Sequence, residues 1–171
     1  IKTLEGSSSK IYSLVLNNEN ELISGSEDGT IKIWNLSTFE CKFTVKEHTD
    51  YVTALFITKD NQLISGSYDT TIRIWRMDNG ECTRKLEGHS DKIKVLLIND
   101  ENGELLSGSW DKTIKFWNVK TGECIKTFKG HTGLVLSLAI DYQNDQLISG
   151  SYDKTIKIWN IKSGECLRTL K

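Results

Sequence analysis

Serine, histidine and aspartate occur together in three successive segments of this 171-residue chain. A serine hydroxyl, an imidazole and a carboxylate within hydrogen-bond reach form the triad with which hydrolases attack acyl groups. An enzyme needs one triad, whereas here the same residue types recur in near-copies of one sequence. We therefore interpret the sets as structural, and we predict no catalytic residue. With the tryptophan that ends each segment, the sets are His48, Ser65, Asp69 and Trp75; His89, Ser107, Asp111 and Trp117; and His131, Ser149, Asp153 and Trp159.

Tryptophan marks an internal repeat that covers the whole chain. Trp34, Trp75, Trp117 and Trp159 lie 41, 42 and 42 residues apart, and each ends a block such as SGSEDGTIKIW or SGSYDKTIKIW. A period of about 40–45 residues is typical of repeat proteins in which each unit buries its apolar face against the next. The one-residue difference in spacing falls in a single loop, residues 58–62 in the second repeat. We therefore expect this loop to be exposed.

Each repeat is predicted to contain four short β-strands. The first strand is apolar, as in IYSLVL (11–16), and the second is a short ELIS-type segment. The third strand, TIKIW in the first repeat, alternates polar and apolar residues, and the fourth follows a turn, as in CKFTV (41–45). Clusters of Asn, Asp, Gly and Ser separate the strands, and helical periodicity is absent. The sequence therefore predicts an antiparallel all-β fold.

The repeats resemble those of the WD-repeat (WD-40 repeat) β-propeller family. In that family each repeat forms a four-stranded blade, with a Gly-His pair before the first strand and a Trp on the third. Here the third and fourth repeats carry the pair, the second replaces its glycine, and the first lacks its histidine. From the first repeat onward, the pairs are Gly6-Ser7, Glu47-His48, Gly88-His89 and Gly130-His131, and the residues after the tryptophans, where the family usually has Asp, are Asn35, Arg76, Asn118 and Asn160.

The resemblance implies an all-β fold of β-propeller blades, each of four antiparallel strands, with four blades in this chain. The blades are placed at about residues 6–46, 47–87, 88–129 and 130–171, after the end of a preceding fourth strand at 1–5. Family members commonly close with about seven or eight blades, so the chain is a partial propeller or half of an eight-bladed homodimer. IKTL (1–4) and LRTL (167–170) compete for one strand position in such a dimer. We therefore favour a segment of a larger propeller.

The family's internal hydrogen-bond network implies a role for the recurring sets. Each indole N–H needs an acceptor, and a neutral imidazole both donates and accepts. The Asp would hold the imidazole and the Ser would link it to the Trp. Loss of one member would strand polar groups at about 1–3 kcal/mol each. The first repeat keeps Ser24, Asp28 and Trp34 but has Ser7 at the histidine position, so we expect its blade to be the least rigid.

The loops at one end of the blades commonly form the ligand-facing rim in this family, which implies a binding surface here. The position before the network aspartate is aromatic in three of the four repeats. Such aromatics suggest a stacking platform for a peptide or a cation–π cage for Arg or Lys. Alternatively, these aromatic side chains pack on adjacent loops as lids. The sequence does not decide between an acidic and a basic partner. The candidates are Glu27, Tyr68, Trp110 and Tyr152, with Lys10, Tyr51, Lys92 and Leu134 where the first strands begin.

Composition limits the partners and the compartment. Twenty-two basic and twenty-three acidic residues give a formal charge of -1, so nucleic-acid binding through a strongly basic surface is not indicated. Signal-peptide and membrane-length apolar patterns are absent. The cysteines recur once per repeat and lack zinc-ligand spacing. We predict that they are partly buried and that they lie too far from one another to form disulfides. They are Cys41, Cys82, Cys124 and Cys166. We predict an intracellular protein, cytoplasmic or nuclear, without membrane association, metal or cofactor.

These features predict a non-catalytic scaffold or adaptor that binds a peptide or partner protein through the aromatic-rich rim. The alternatives are a structural subunit that assembles through blade edges and a homodimeric closed propeller. Phe39, where the other repeats have Gly, either adopts a different turn or is an exposed apolar contact. An enzyme would need a unique, non-repeated set of acid, base or metal ligands, and the sequence contains none.

Overall fold

Sixteen β-strands are present in the computed structural model, which describes residues 3–4, 6, 9–99 and 103–171. Ser7 and most of the predicted strand fragment at 1–5 lie outside the described residues. The first sheet contains β1 (Ile11–Leu16), β2 (Glu21–Ser26), β3 (Ile31–Asn35) and β4 (Cys41–Val45), and the second contains β5 (Val52–Ile57), β6 (Gln62–Ser67), β7 (Ile72–Arg76) and β8 (Cys82–Leu86). The third contains β9 (Ile93–Asn99), β10 (Glu104–Ser109), β11 (Ile114–Asn118) and β12 (Cys124–Phe128), and the fourth contains β13 (Val135–Asp141), β14 (Gln146–Ser151), β15 (Ile156–Asn160) and β16 (Cys166–Leu170).

The alternating third strands show why these segments form sheets. In β3, Ile31 and Ile33 are fully buried, while Lys32 between them extends to the Thr44 hydroxyl on β4, at 2.9 Å. Successive side chains of a strand point to opposite faces, so one face enters the core and the other carries polar contacts. The turn after β3 is closed by the Asn35 side chain, which accepts the backbone N–H groups of Ser37 and Thr38.

All four sheets are antiparallel, and their strands follow sequence order. The described residues contain no helix, so the predicted all-β fold of four-stranded blades is confirmed. The first strands β1, β5, β9 and β13 lie side by side, and each sheet also packs on the next. Within the described part of the chain the series does not close into a ring. The blade boundaries given above stay a prediction.

Each junction between sheets is filled by one apolar cluster. At the first junction, Ile23 and Ile33 of the first sheet pack with Leu63 and Trp75 of the second. The other two junctions repeat this arrangement, with Trp117 and Trp159 contributed by the later sheet in each case. Most of these side chains are fully buried, as the repeat pattern predicts for units that share their cores.

The outward faces of the two end sheets leave apolar side chains exposed. On the fourth sheet Ile156 is 45% exposed and Leu170 is 43% exposed, whereas Ile114 and Phe128, at the equivalent places on the third sheet, are 0% and 1% exposed. On the first sheet, Leu14 is 60% exposed. Such faces are usual where a soluble protein contacts a further unit.

Two details of the turns refine the predictions. Phe39 has φ +64° and donates its N–H to the Asn35 carbonyl at 2.7 Å, as Gly80 does to Arg76 in the second sheet with φ +71°. The turn is therefore the same in both repeats, and the Phe39 side chain is 41% exposed. The prediction that the cysteines are partly buried was wrong for three of them, which are exposed on the outermost strands of their sheets, whereas Cys82 packs against the apolar cluster at the first junction. Cys82 is half-buried, and all four thiols are free; the exposed ones are Cys41, Cys124 and Cys166.

A glycine in the second strand of each of the first three sheets allows close packing on the first strand of the next sheet. A Cβ atom on Gly25 would lie 2.6 Å from Cγ1 of Val52, and one on Gly108 would lie 2.7 Å from Cγ1 of Val135. Gly66 has the corresponding contact with Ile93, at 3.0 Å. These separations are shorter than van der Waals contact, so a side chain at these positions would push the first strand of the next sheet away.

Candidate functional site

The predicted sets of Trp, Ser, His and Asp are brought together in the second, third and fourth sheets. In the second sheet the indole N–H of Trp75 donates to Oγ of Ser65 at 2.8 Å, and this hydroxyl lies 2.7 Å from Nε2 of His48. Nδ1 of His48 lies 2.7 Å from Oδ2 of Asp69. A neutral imidazole with its proton on Nδ1 satisfies the whole series, since the hydroxyl then donates to Nε2. The third and fourth sheets repeat these contacts to within 0.1 Å.

Threonine completes the coordination of each aspartate. In the second sheet, the Thr71 hydroxyl donates to Oδ1 of Asp69 at 2.7 Å and its backbone N–H donates at 2.9 Å. Burial acts to raise the pKa of Asp69, but the hydrogen bonds from His48 and Thr71 outweigh it, so the pKa is lowered. The pKa values of Asp111 and Asp153 are lowered in the same way.

The arrangement does not present a nucleophile to a substrate. Ser65, Ser107 and Ser149 are 0% exposed. Each hydroxyl is already shared between an indole and an imidazole. Fully satisfied buried networks of this kind stiffen and specify a core. Among the described residues, no group of three His, Cys, Asp or Glu side chains is placed to hold a metal ion.

The first sheet contains a shorter version of the network. Trp34 donates to Oγ of Ser24 at 2.9 Å. Asp28 accepts from the hydroxyls of Ser26 at 2.5 Å and Thr30 at 2.7 Å. Burial acts to raise the pKa of Asp28, but these hydrogen bonds outweigh it and lower the pKa to about 2. In the described part of this sheet, no imidazole joins the serine to the aspartate.

The rim candidates are paired by the backbone in every sheet. In each sheet the backbone N–H of the residue before the network aspartate donates to the carbonyl of the residue where the first strand begins. This hydrogen bond makes the two positions neighbours. These bonds join Glu27 to Lys10 (2.8 Å), Tyr68 to Tyr51 (2.9 Å), Trp110 to Lys92 (2.8 Å) and Tyr152 to Leu134 (2.9 Å).

Four aromatic rings from the first three sheets form a continuous stack, here called the aromatic rim: Tyr12, Tyr51, Tyr68 and Trp110. The ring centroids of Tyr12 and Tyr51 are 5.0 Å apart. Tyr51 and Tyr68 are stacked at 5.3 Å with 13° between their planes, and Tyr68 contacts Trp110 at 5.3 Å with a tilt of 54°. Offset-stacked and tilted pairs at these distances are attractive.

Charged groups lie at both ends of the aromatic rim. At one end the Tyr51 hydroxyl donates to Glu27 at 2.6 Å, and Nζ of Lys10 lies 3.4 Å from the same carboxylate oxygen. The hydrogen bond from Tyr51 lowers the pKa of Glu27 and raises the pKa of Tyr51 to about 12. At the other end Nζ of Lys92 lies 4.7 Å from the Tyr68 centroid and 4.9 Å from the Trp110 centroid.

The structure also separates some residues that the sequence grouped. Tyr152 is 72% exposed, and no ring contact joins it to the aromatic rim within the described residues. Tyr12, which sequence reasoning missed, is the second residue of β1, where the other sheets have Thr53, Lys94 and Leu136. Aligning the four repeats at this position would have marked it as the one aromatic residue.

One polar atom of the aromatic rim has no partner. Nε1 of Trp110 is buried and makes no hydrogen bond to any described residue. A buried donor left unsatisfied costs about 1–3 kcal/mol, and such atoms are rare in native structures. The other four tryptophans all donate to a serine.

Stacked four-stranded antiparallel sheets, with their first strands side by side and a Trp–Ser–His–Asp network in all but one, define a β-propeller repeat protein. The chain belongs to the WD40 family. The family model described as WD domain, G-beta repeat matches residues 1–35, 39–76, 80–118 and 122–160. Members of this family are generally protein-interaction scaffolds and are typically non-catalytic. A search of curated proteins finds no match to the chain. A membrane-spanning helix is absent from the described part of the chain.

Proposed function

We propose that this chain is a non-catalytic scaffold that binds a peptide segment of a partner protein on the aromatic rim. The observation that carries the proposal is the continuous stack of four rings drawn from three adjacent sheets. None of the four rings belongs to the clusters that hold the sheets together. Aromatic side chains offer large contact area at low conformational cost, and they dominate the energetics of protein interfaces.

The partnerless indole N–H of Trp110 supports the same surface. Buried polar atoms without a partner are rare in native structures, and one at a proposed binding surface is a group that a ligand can satisfy. The four free thiols fit a reducing, intracellular compartment.

A capture experiment with matched variants tests the proposal. Tyr68→Ala with Trp110→Ala removes the centre of the aromatic rim, whereas Tyr152→Ala removes an exposed ring outside it. We expect the first variant to lose about 90% of the partner captured by the wild type, and the second to retain it, because hot-spot aromatics carry most of an interface's binding energy. Circular dichroism establishes that both variants are folded. Equal capture by all three proteins would remove this surface from consideration.

A second candidate function is a structural subunit that assembles through its end sheets. The exposed Leu14, Ile156 and Leu170 favour it, because the residues equivalent to Ile156 and Leu170 between sheets are buried. The occupant of these faces is either a second copy of the chain or further blades. Sedimentation of the purified chain distinguishes the two, because a second copy gives twice the mass of a monomer.

A further inference from the structure

The two ends of the aromatic rim differ in how their charges are balanced. At the Glu27 end, one carboxylate is held by the Tyr51 hydroxyl and by the ammonium of Lys10. At the Lys92 end, the ammonium lies over two rings and forms no ion pair with a described carboxylate. The Glu27 carboxylate is therefore paired within the chain, whereas the Lys92 ammonium has no ion-pair partner among the described residues.

We propose that Lys92 is the specificity-determining residue of the aromatic rim and that it binds the side-chain carboxylate of an Asp or Glu in the partner peptide. This proposal rests on the proposed function, because it names the chemistry of the ligand at the same surface. Tyr68 and Trp110 hold the ammonium by cation–π attraction, so its position is fixed before the ligand arrives. A preordered group loses less conformational entropy on binding than a free lysine does.

The same geometry argues against a basic ligand. The ring of Tyr68 already has Tyr51 stacked on it at 5.3 Å and the Lys92 ammonium at 4.7 Å. A ligand Lys or Arg would have to displace Lys92 from these rings, or bind beside a charge of its own sign. Like charges placed together cost affinity and serve to reject the wrong partner.

The neighbouring acidic residue does not neutralise Lys92. Oδ1 of Asp91 accepts the backbone N–H of Lys92 at 2.8 Å, and the hydroxyl of Ser109 donates to the Asp91 carbonyl at 2.9 Å. These bonds hold Asp91 within the loop and against the end of β10. Its carboxylate forms no ion pair with the ammonium among the described residues.

A carboxylate fits this site better than a phosphate. Phosphate groups on peptides are typically bound by clusters of arginine through bidentate contacts. The four arginines of the chain lie on third and fourth strands, and none is at the aromatic rim; they are Arg73, Arg76, Arg84 and Arg168. One ammonium matches the single charge of a carboxylate, whereas it leaves a phosphate dianion half-balanced.

Selection of peptides on the purified chain tests the proposal and requires no identified partner. A random display library of peptides about 12 residues long, enough to span the rim in extended form, is selected on the wild type, on Lys92→Met, and on Lys10→Met as the matched control. Methionine keeps the unbranched side chain over the rings and removes the charge. We expect one position of the wild-type binders to be enriched at least about fivefold in Asp and Glu, since a charge-assisted contact contributes about 1 kcal/mol or more. We expect Lys92→Met to lose that enrichment and Lys10→Met to keep it.

Affinities for one selected peptide then identify the contact. Changing its acidic residue to the amide and changing Lys92 to Met should each weaken binding about tenfold, and the two changes together should weaken it little further. This non-additivity is the signature of a direct pair. Unchanged thermal midpoints establish that the variants are folded.

Other outcomes separate this inference from the proposed function. Binders that depend on Trp110 but show no acidic preference overturn the role of Lys92 and leave the aromatic rim as a peptide site. If none of the selected binders depends on the aromatic rim, both the role of Lys92 and the proposed function are overturned. A phosphoserine peptide that binds tenfold more tightly than its glutamate form, or a single-stranded oligonucleotide whose binding requires Lys92, overturns the assignment of a peptide carboxylate.

Discussion

The tryptophan of the first sheet and those of the other three are anchored differently. Trp34 donates to Ser24, and among the described residues the series ends there. Trp117 donates to Ser107, and the series continues through His89 to Asp111. The three later networks therefore join the third strand, the segment before the first strand and the turn that carries the aspartate. In the first sheet the described contacts form two separate local groups.

The turn of the first sheet compensates for part of this difference. Ser67 and Ser109, in the second and third sheets, donate to backbone carbonyls before the first strand. The equivalent Ser26 instead donates to Asp28 at 2.5 Å. The carboxylate keeps its donors, but the bond that joins two segments is replaced by one within the turn. The comparison indicates that histidine adds connection between segments rather than local satisfaction.

Removing a histidine should convert a long network into a short one. We expect His89→Ala to lower the free energy of unfolding by about 3 kcal/mol, because Ser107 and Asp111 lose their common partner and a cavity forms. Urea unfolding followed by tryptophan fluorescence measures the change. A loss below about 0.5 kcal/mol would show that the imidazole is not a brace.

Matched serine substitutions should sharpen the contrast between sheets. We expect Ser107→Ala to cost about 2 kcal/mol and Ser24→Ala about 1 kcal/mol. Among the described residues, Ser107→Ala leaves both an indole and an imidazole without a hydrogen-bond partner, whereas Ser24→Ala leaves only an indole without one. The same unfolding assay applies to both variants. Equal losses of unfolding free energy in the two variants would contradict the idea that the third sheet has the more extensive hydrogen-bond network.

Hydrogen exchange should separate the two end sheets, each of which has one uncovered face. We expect amides of β3 to exchange about tenfold faster than those of β15, which corresponds to a local difference of about 1.4 kcal/mol. Amide exchange resolved by residue provides the measurement. Slower exchange in β3 than in β15 would refute the expectation that the first sheet is the least rigid.

Acid should reveal the smallest contrast, between Asp28 and Asp111. Both carboxyl groups have a lowered pKa in the folded chain, so their stabilisation is present above the ordinary Asp value of 3.8 and is lost as the pH falls toward the folded value. For Asp28 most of that stabilisation is lost by a pH of about 2, whereas Asp111 accepts an additional hydrogen bond from His89, which favours its ionised form further. We therefore expect Asp111→Asn to flatten the fall in unfolding free energy between about pH 4 and pH 2 more than Asp28→Asn does. Equal slopes for the two variants would contradict this order.

The repeats made the fold and the residue types of the networks predictable. Four near-copies fix the strand order, and three of them place Trp, Ser, His and Asp at nearly constant spacing, so local sequence was sufficient. The relations among the rim residues were less accessible. Whether Tyr68 meets Tyr51 and Trp110, and whether Tyr152 meets neither, depends on how adjacent sheets are turned relative to each other. Sequence spacing within one repeat contains no information on that angle.

Lys92 shows the same limit. Its position before a first strand identified it as a rim residue, but a lysine side chain has many rotamers, and the choice of two ring faces depends on rings from two sheets. Phe39 was ambiguous for another reason. A positive φ at a non-glycine residue is uncommon, so the sequence did not indicate that Phe39 adopts the same turn as the glycines of the other repeats.

The glycines of the second strands have a consequence for the aromatic rim. Each lies two residues before a rim position, as Gly66 does before Tyr68, and at the three junctions such a glycine faces the next sheet so closely that a methyl group would act as a wedge. Because the sheets follow one another in series, a side chain inserted at one junction would rotate every later sheet relative to the earlier ones. The alignment of the rings from different sheets therefore depends on the absence of a side chain at these glycines.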